Sequence, residues 1–170
     1  MRRKTGLFMV LLVSFLFSAC GNGDHIQSEG AVLWFRAVSE EEHGPALASQ
    51  PYSGEELPQP EDLLTALLAG PSQEGLISPF PRGVTLRQCG WDEERPGVFC
   101  VNLSEQYGAL ADISLTLADY CIVLTLAQAE GVEIVEITAE GRHTSYRSHQ
   151  LLAAEEAVLW DNLADSGKNS

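Results

Sequence analysis

The chain has 170 residues, 45% of them hydrophobic and 20% charged, which suits one globular domain with appendages and leaves too little for two cores. Asp and Glu number 24 against 10 Lys and Arg, a formal net charge of −14. Such a surface repels nucleic-acid phosphates and an anionic bilayer alike, so no nucleic-acid partner is expected and membrane attachment needs a dedicated anchor.

The first residues supply one. Arg2, Arg3 and Lys4 precede an apolar run from Leu7 to Phe17, the length of a signal-peptide core and short for a membrane span. Residues 1–19 therefore read as a signal peptide. The run closes on Phe17-Ser18-Ala19-Cys20, which resembles a bacterial lipobox, with Phe17 where Leu is usual. Cys20 is thus the expected lipidation site, and an ordinary cleavage site followed by a chance cysteine is the alternative. A lipid on Cys20 would hold an exported protein on the outer face of the cytoplasmic membrane. Cleavage removes Arg2, Arg3 and Lys4 and no acid, leaving 7 basic against 24 acidic residues and a net charge of −17.

Residues 20–30 are polar and contain Gly, as a flexible tether would. Ala31 to Val38 is rich in β-branched and aromatic residues and reads as a strand. Ser39 to Pro60, dense in Pro, Gly and Glu, reads as a long loop. Pro60 to Gly70 has Glu61 and Asp62 in its first turn, leucines at 63, 64, 67 and 68 on one stripe, and a glycine stop, which predicts a short helix. The stretch from Leu67 to Pro81 then spends Gly70, Pro71, Gly75, Pro79 and Pro81 on turning the chain, with Leu76 and Ile77 as expected plugs. Two strands follow, Gly83 to Trp91 and Gly97 to Ser104, joined as a hairpin. The expected register sets Leu86 opposite Leu103, Gly90 opposite Phe99 and Cys89 opposite Cys100. A disulfide between Cys89 and Cys100 is then within reach, with two reduced thiols as the alternative.

Ala109 to Gly131 is the longest periodic run, with Leu110, Ile113, Leu117, Cys121 and Leu124 at helical spacing. It is apolar almost all round. Asp112 and Asp119 within it argue against a membrane span, because an acid at mid-bilayer costs about 2.5 kcal/mol or more, so a buried core helix is expected. Val132 to Thr138 reads as a further strand ending at Glu140-Gly141, and a short helix or strand is expected around Leu151 to Trp160. The domain boundaries are then 31–160 for one domain and 161–170 for a disordered tail. The order strand, helix, strand, strand, helix, strand (βαββαβ) gives an α/β fold of two helices packed on a small mixed sheet.

Four stretches carry a family resemblance. They are the helix-to-Gly70-Pro71 step with Pro81 and Gly83 downstream, the strand end Val101-Asn102-Leu103-Ser104, the helix core Ile122 to Leu126 with Thr125, and Gly131-Val132 leading to Val135, Ile137 and Gly141. In this order and spacing they resemble the GerMN or germane domain of sporulation and spore-germination lipoproteins, over about Val32 to Trp160. The resemblance implies an extracytoplasmic α/β domain similar to ring-building modules, acting in envelope assembly or interaction without established catalysis. It further implies a sporulation or envelope protein complex as partner and association with copies of itself. Two positions depart from the family's habit: Asn102 stands where Asp is common, and Ala129 where an aromatic is common.

No G-x-S-x-G, H-E-x-x-H, S-x-x-K or Walker sequence occurs, so no catalytic residue and no cofactor are expected. The four His residues, at 25, 43, 143 and 149, match no metal-site spacing, and the acid pairs read as solvated loop. Of the aromatics, Trp91 at the hairpin end and Tyr52 in the long loop are the expected exposed contacts. An interaction or assembly module is the first functional expectation. The alternative is an envelope lipoprotein that binds a peptidoglycan fragment or small molecule.

Overall fold

The computed structural model describes residues 30–38, 45–55, 57–147 and 149–157. The signal peptide, Cys20, the rest of the tether before Gly30, His25, His43, Trp160 and the 161–170 tail lie outside the described residues.

All six expected elements are present in the expected order. Strand β1 (Val32–Ala37) leads through β2 (Leu47–Pro51) to helix α1 (Pro60–Ala69); β3 (Leu76–Ile77), β4 (Leu86–Trp91) and β5 (Val98–Leu103) follow. A single turn, α2 (Glu105–Gly108), precedes the long helix α3 (Asp112–Leu126), after which come β6 (Ile134–Ala139), β7 (Leu151–Leu152) and a 3-10 turn at Ala154–Glu156. The architecture is mixed α/β. The strands form two sheets rather than one: β2-β1-β3, and β4-β5-β6-β7 in which only β5 and β6 run parallel. A parallel pair needs a crossover, and α2 with α3 supplies it.

Two strands were not expected. Leu47–Pro51, inside the supposed loop, pairs antiparallel with β1 from Arg36↔Leu47 to Val32↔Pro51. Its sequence, Leu-Ala-Ser-Gln-Pro, has weak strand character, so backbone pairing with β1 supplies what side chains do not. Leu76 and Ile77 are not merely plugs but pair with Ala37 and Arg36 as β3. Leu76 packs on the core while Ile77 stays exposed.

Helix α1 begins at Pro60, where a missing N–H is harmless, and ends at Gly70, whose φ of +92° closes the last turn with an N–H bond to Leu67 O. Its buried face is Leu63, Leu64 and Leu67. In α3 the buried stripe is Leu115, Ala118, Ile122, Leu126 and on to Ala129, whereas Ile113 is exposed and Leu110, Leu117 and Leu124 are only half-buried. Of the expected stripe only Cys121 is fully buried, because a helix apolar on nearly every side has no period that picks out one face. Among the described residues no helix is long and apolar enough to cross a membrane. Phe35 of β1, the leucines of α1, the stripe of α3 and the inward residues of β5 and β6 form one core.

The β4–β5 register requires a correction. Leu86 faces Leu103 as expected, but a bulge between Leu86 and Gln88 moves every later pair by one, giving Cys89↔Val101, Gly90↔Cys100 and Trp91↔Phe99. One extra residue in a strand inverts the faces beyond it. Cys89 therefore points with Val101 toward the core and Cys100 points the other way. Both are free thiols, and no disulfide joins them.

Candidate functional site

The helices cover one face of the β4-β5-β6-β7 sheet, and alternation aims the other residues of each strand outward. Val135, Ile137 and Ala139 are buried while Glu136 and Thr138 are not; Phe99, Val101 and Leu103 are buried while Cys100 and Asn102 are partly open. Because β5 and β6 are in parallel register, Cys100 lies beside Glu136 and Asn102 beside Thr138. The β4–β5 hairpin adds Asp92 and Arg95, and His143 arrives from the segment after β6. Together they line an open groove of about 420 Å³ with Trp91 at its rim.

The groove's charges pair with one another. Arg95 bridges Asp92 and Glu136, and His143 Nε2 lies 2.7 Å from Glu136 Oε1. Asp92 Oδ1 accepts the backbone N–H groups of Glu94 (2.9 Å) and Arg95 (2.8 Å). The Arg95 side chain, followed by the Glu94 N–H, holds the Asp92 carboxyl down at about 2. Burial works to raise Glu136, but the hydrogen bonds from Arg95 and His143 outweigh it and leave this carboxyl below its ordinary range. Burial, then the nearby Glu136 and Asp92 carboxylates, push the Cys100 thiol up, so it is protonated at neutral pH. That is poor preparation for a nucleophile.

A second groove, of about 370 Å³, lies where α3 meets the segment from Tyr146 to Glu156. At its floor Arg147 binds Asp119 bidentately, Nε to Oδ2 at 2.8 Å and Nη2 to Oδ1 at 2.6 Å, with both side chains 5% exposed. The Tyr107 hydroxyl donates to Asp119 Oδ1, and Arg147 Nη1 reaches Ile137 O at 2.8 Å. Burial, reinforced by the Asp119 charge, pushes the Tyr107 hydroxyl well above its ordinary value, so it serves as a neutral donor.

The residues singled out in the sequence turn out to hold turns and edges. Gly83 takes a φ of +86° in the turn closed by Val84 N–H to Pro81 O, and Ser104, 1% exposed, exchanges bonds with Thr85 beside it, N–H to O at 2.9 Å and Oγ accepting at 3.0 Å. Glu140 and Gly141, both at positive φ, make a two-residue hairpin turn between Ala139 and Arg142, and Gly141 N–H donates to Asn102 Oδ1 at 2.8 Å. An acceptor oxygen is all this contact uses, so Asn102 serves where Asp is common. Val101, Leu103, Leu126, Val132 and Val135 are core residues. Gly70 and Pro71 lead into a loop whose Ser72 and Gln73 N–H groups bind the buried Gln50 Oε1 of β2. Trp91 is exposed as expected, stacked edge-on against Phe99 and over Gly131. Tyr52 is half-buried against the core rather than a free contact.

What the sequence did not disclose is the groove. Asp92, Arg95, Cys100, Glu136 and His143 come from four separate segments, and only the bulged register and the parallel pairing bring them together.

Comparison with known proteins agrees with this fold. The sequence pattern of the Germane family, described as sporulation and spore germination, matches residues 36–145, more than half of the chain. The chain belongs to the Germane family. No curated protein matches it. Among solved structures, this Germane chain is similar to the tandem GerMN domains of the sporulation protein GerM from Bacillus subtilis, at 17% identity and a TM-score of 0.52, over 72% of this chain and 43% of that one. The Germane chain thus spans less than half of that tandem protein, and the likeness concerns the fold. A candidate lipoprotein from Clostridium perfringens aligns at 18% identity and a TM-score of 0.48, over 74% of this chain and 90% of that one.

Proposed function

We propose that this Germane domain is a non-catalytic assembly module, held by a lipid on Cys20 to the outer face of the cytoplasmic membrane and joined there to a protein complex of sporulation, spore germination or envelope building. The family match over residues 36–145 carries the reading. The apolar run from Leu7 to Phe17, of signal-peptide length, and the lipobox-like Cys20 support the location. The open sheet face supports a binding role over a catalytic one, since its one thiol is protonated and its carboxylates are already paired.

The test is genetic and biochemical together. A strain lacking the protein should sporulate or germinate less efficiently, and Cys20→Ser should move the protein from the membrane to the soluble fraction and fail to restore the defect. Full complementation by a soluble Cys20→Ser protein would overturn the anchored reading. A ligand-binding reading rests on the 370 Å³ groove over Arg147, a volume in the range of small-molecule sites. Muropeptides that raise the unfolding temperature of the purified protein would favour that reading over assembly.

A further inference from the structure

A thiol and two carboxylates converge on the open sheet face. One ligand atom from each of Asp92, Cys100 and Glu136 lies within 4.8 Å of the other two. Cys100 Sγ is 3.8 Å from Asp92 Oδ2 and 3.7 Å from Glu136 Oε2. Around a tetrahedral zinc-class ion, with metal–sulfur and metal–oxygen bonds of about 2.3 and 2.0 Å, a sulfur–oxygen edge is about 3.5 Å. Both edges are close to that value before any adjustment.

The position between the carboxylates is already a cation seat. A single nitrogen, Arg95 Nη2, contacts Asp92 Oδ2 and Glu136 Oε2 together. The remaining oxygens are held in place from behind, Asp92 Oδ1 by two backbone N–H groups and Glu136 Oε1 by His143 Nε2. Such outer contacts orient ligands and tune their affinity. The side chain of Arg95 is 43% exposed on a hairpin loop, so it can swing to the rim without leaving water.

We propose that Asp92, Cys100 and Glu136 bind a divalent cation of the zinc class, with Arg95 Nη2 occupying its seat in the unloaded protein and His143 orienting Glu136. The thiol decides the class of ion, because carboxylates alone suit magnesium or calcium whereas sulfur selects zinc-like ions. On binding, Cys100 gives its proton to solvent and Arg95 retreats to the rim. Three anionic ligands, a doubly charged ion and the neighbouring guanidinium then sum to zero, so the loaded site carries no uncompensated charge. The sequence hides the site because its ligands come from a hairpin loop, β5 and β6, at spacings that match no metal signature.

Cobalt(II) gives a direct readout. Titration of the reduced, purified protein should produce a thiolate-to-cobalt charge-transfer band with the intense visible bands of tetrahedral cobalt, and equimolar zinc should remove both. Cys100→Ser should abolish the charge-transfer band, while Cys89→Ser, on the opposite face of the sheet, should keep it. His143→Ala should weaken zinc binding by about tenfold or more. Arg95→Gln, which removes the resident cation, should tighten it by about tenfold or more, a gain that misfolding cannot imitate. The proposal is overturned if neither the wild-type protein nor Arg95→Gln shows the thiolate band in excess cobalt, or if the band survives Cys100→Ser.

Discussion

Asp119 is an acid set among Ala118, Ile122 and Val123 on the buried side of α3, and Arg147 accounts for it. The two side chains are almost fully buried and bonded twice to each other, with Tyr107 and Ile137 O taking further valences. Breaking a buried pair strands a charge in low dielectric, whereas replacing both partners removes the desolvation penalty with the attraction. Asp119→Ala should therefore lower the unfolding free energy by about 3–5 kcal/mol in chemical denaturation, and Asp119→Leu with Arg147→Met should recover most of that loss. The sequence could mark Asp119 as unusual but could not supply its partner, which lies 28 residues on in a stretch of no regular structure. Arg95 gives a prediction of a different kind. Asp92 is held at about 2 against an ordinary 3.8, so its contribution to stability is complete above the ordinary value and disappears as pH falls through the folded one. Glu136 is depressed as well and acts in the same direction. Stability should decline between about pH 5 and pH 2, and Arg95→Gln should flatten that decline in urea melts taken across the range.

At the scale of elements, the most informative contact joins the end of α3 to β1. Strand β1 is paired by β2 along one edge, but β3 reaches only Arg36 and Ala37 on the other. Side chains take three of the groups left over: Trp34 N–H donates to Thr125 Oγ1 at 3.0 Å, and Gln128 exchanges two bonds with Val32, N–H to Oε1 at 2.9 Å and Nε2 to O at 2.8 Å. Thr125 and Gln128 thus stand in for a missing strand, which blunts an edge that could otherwise pair with another chain. Thr125→Val keeps the shape but orphans a partly buried N–H, and should cost about 1–3 kcal/mol. Gln128→Ala exposes groups that water can satisfy, and should cost no more than about 1 kcal/mol. Faster hydrogen exchange at the Trp34 amide in Thr125→Val would locate the effect. The same element shows where sequence reading ends. The helices and long strands were legible because Pro, Gly and apolar spacing mark them locally. The short strands β2 and β3 were not, since pairing with a remote neighbour makes them. The one-residue bulge after Leu86 has no signature in the sequence, yet it decides which face each cysteine takes and with it the composition of the groove.

For the whole molecule, charge sets the terms of association. With residues 1–19 removed the chain carries −17, so two copies approaching each other repel over the Debye length, about 30 Å in 0.01 M salt and about 3 Å in 1 M. The ring-building likeness expected from the sequence requires copies to touch, and an edge capped by Thr125 and Gln128 offers little backbone for that purpose. One surface for such contact is the open face of the β4-β5-β6-β7 sheet, where Arg95 offsets the Asp92 and Glu136 carboxylates. The repulsion therefore comes from the rest of the surface, which salt screens, while the face itself changes little. Sedimentation of the purified protein should show a monomer in about 0.01 M salt and larger species in about 1 M salt. Arg95→Glu, which puts a third carboxylate beside Asp92 and Glu136, should hold the protein monomeric in both. A wild-type monomer at every ionic strength would count against self-assembly and leave a basic partner as the natural complement of so acidic a domain.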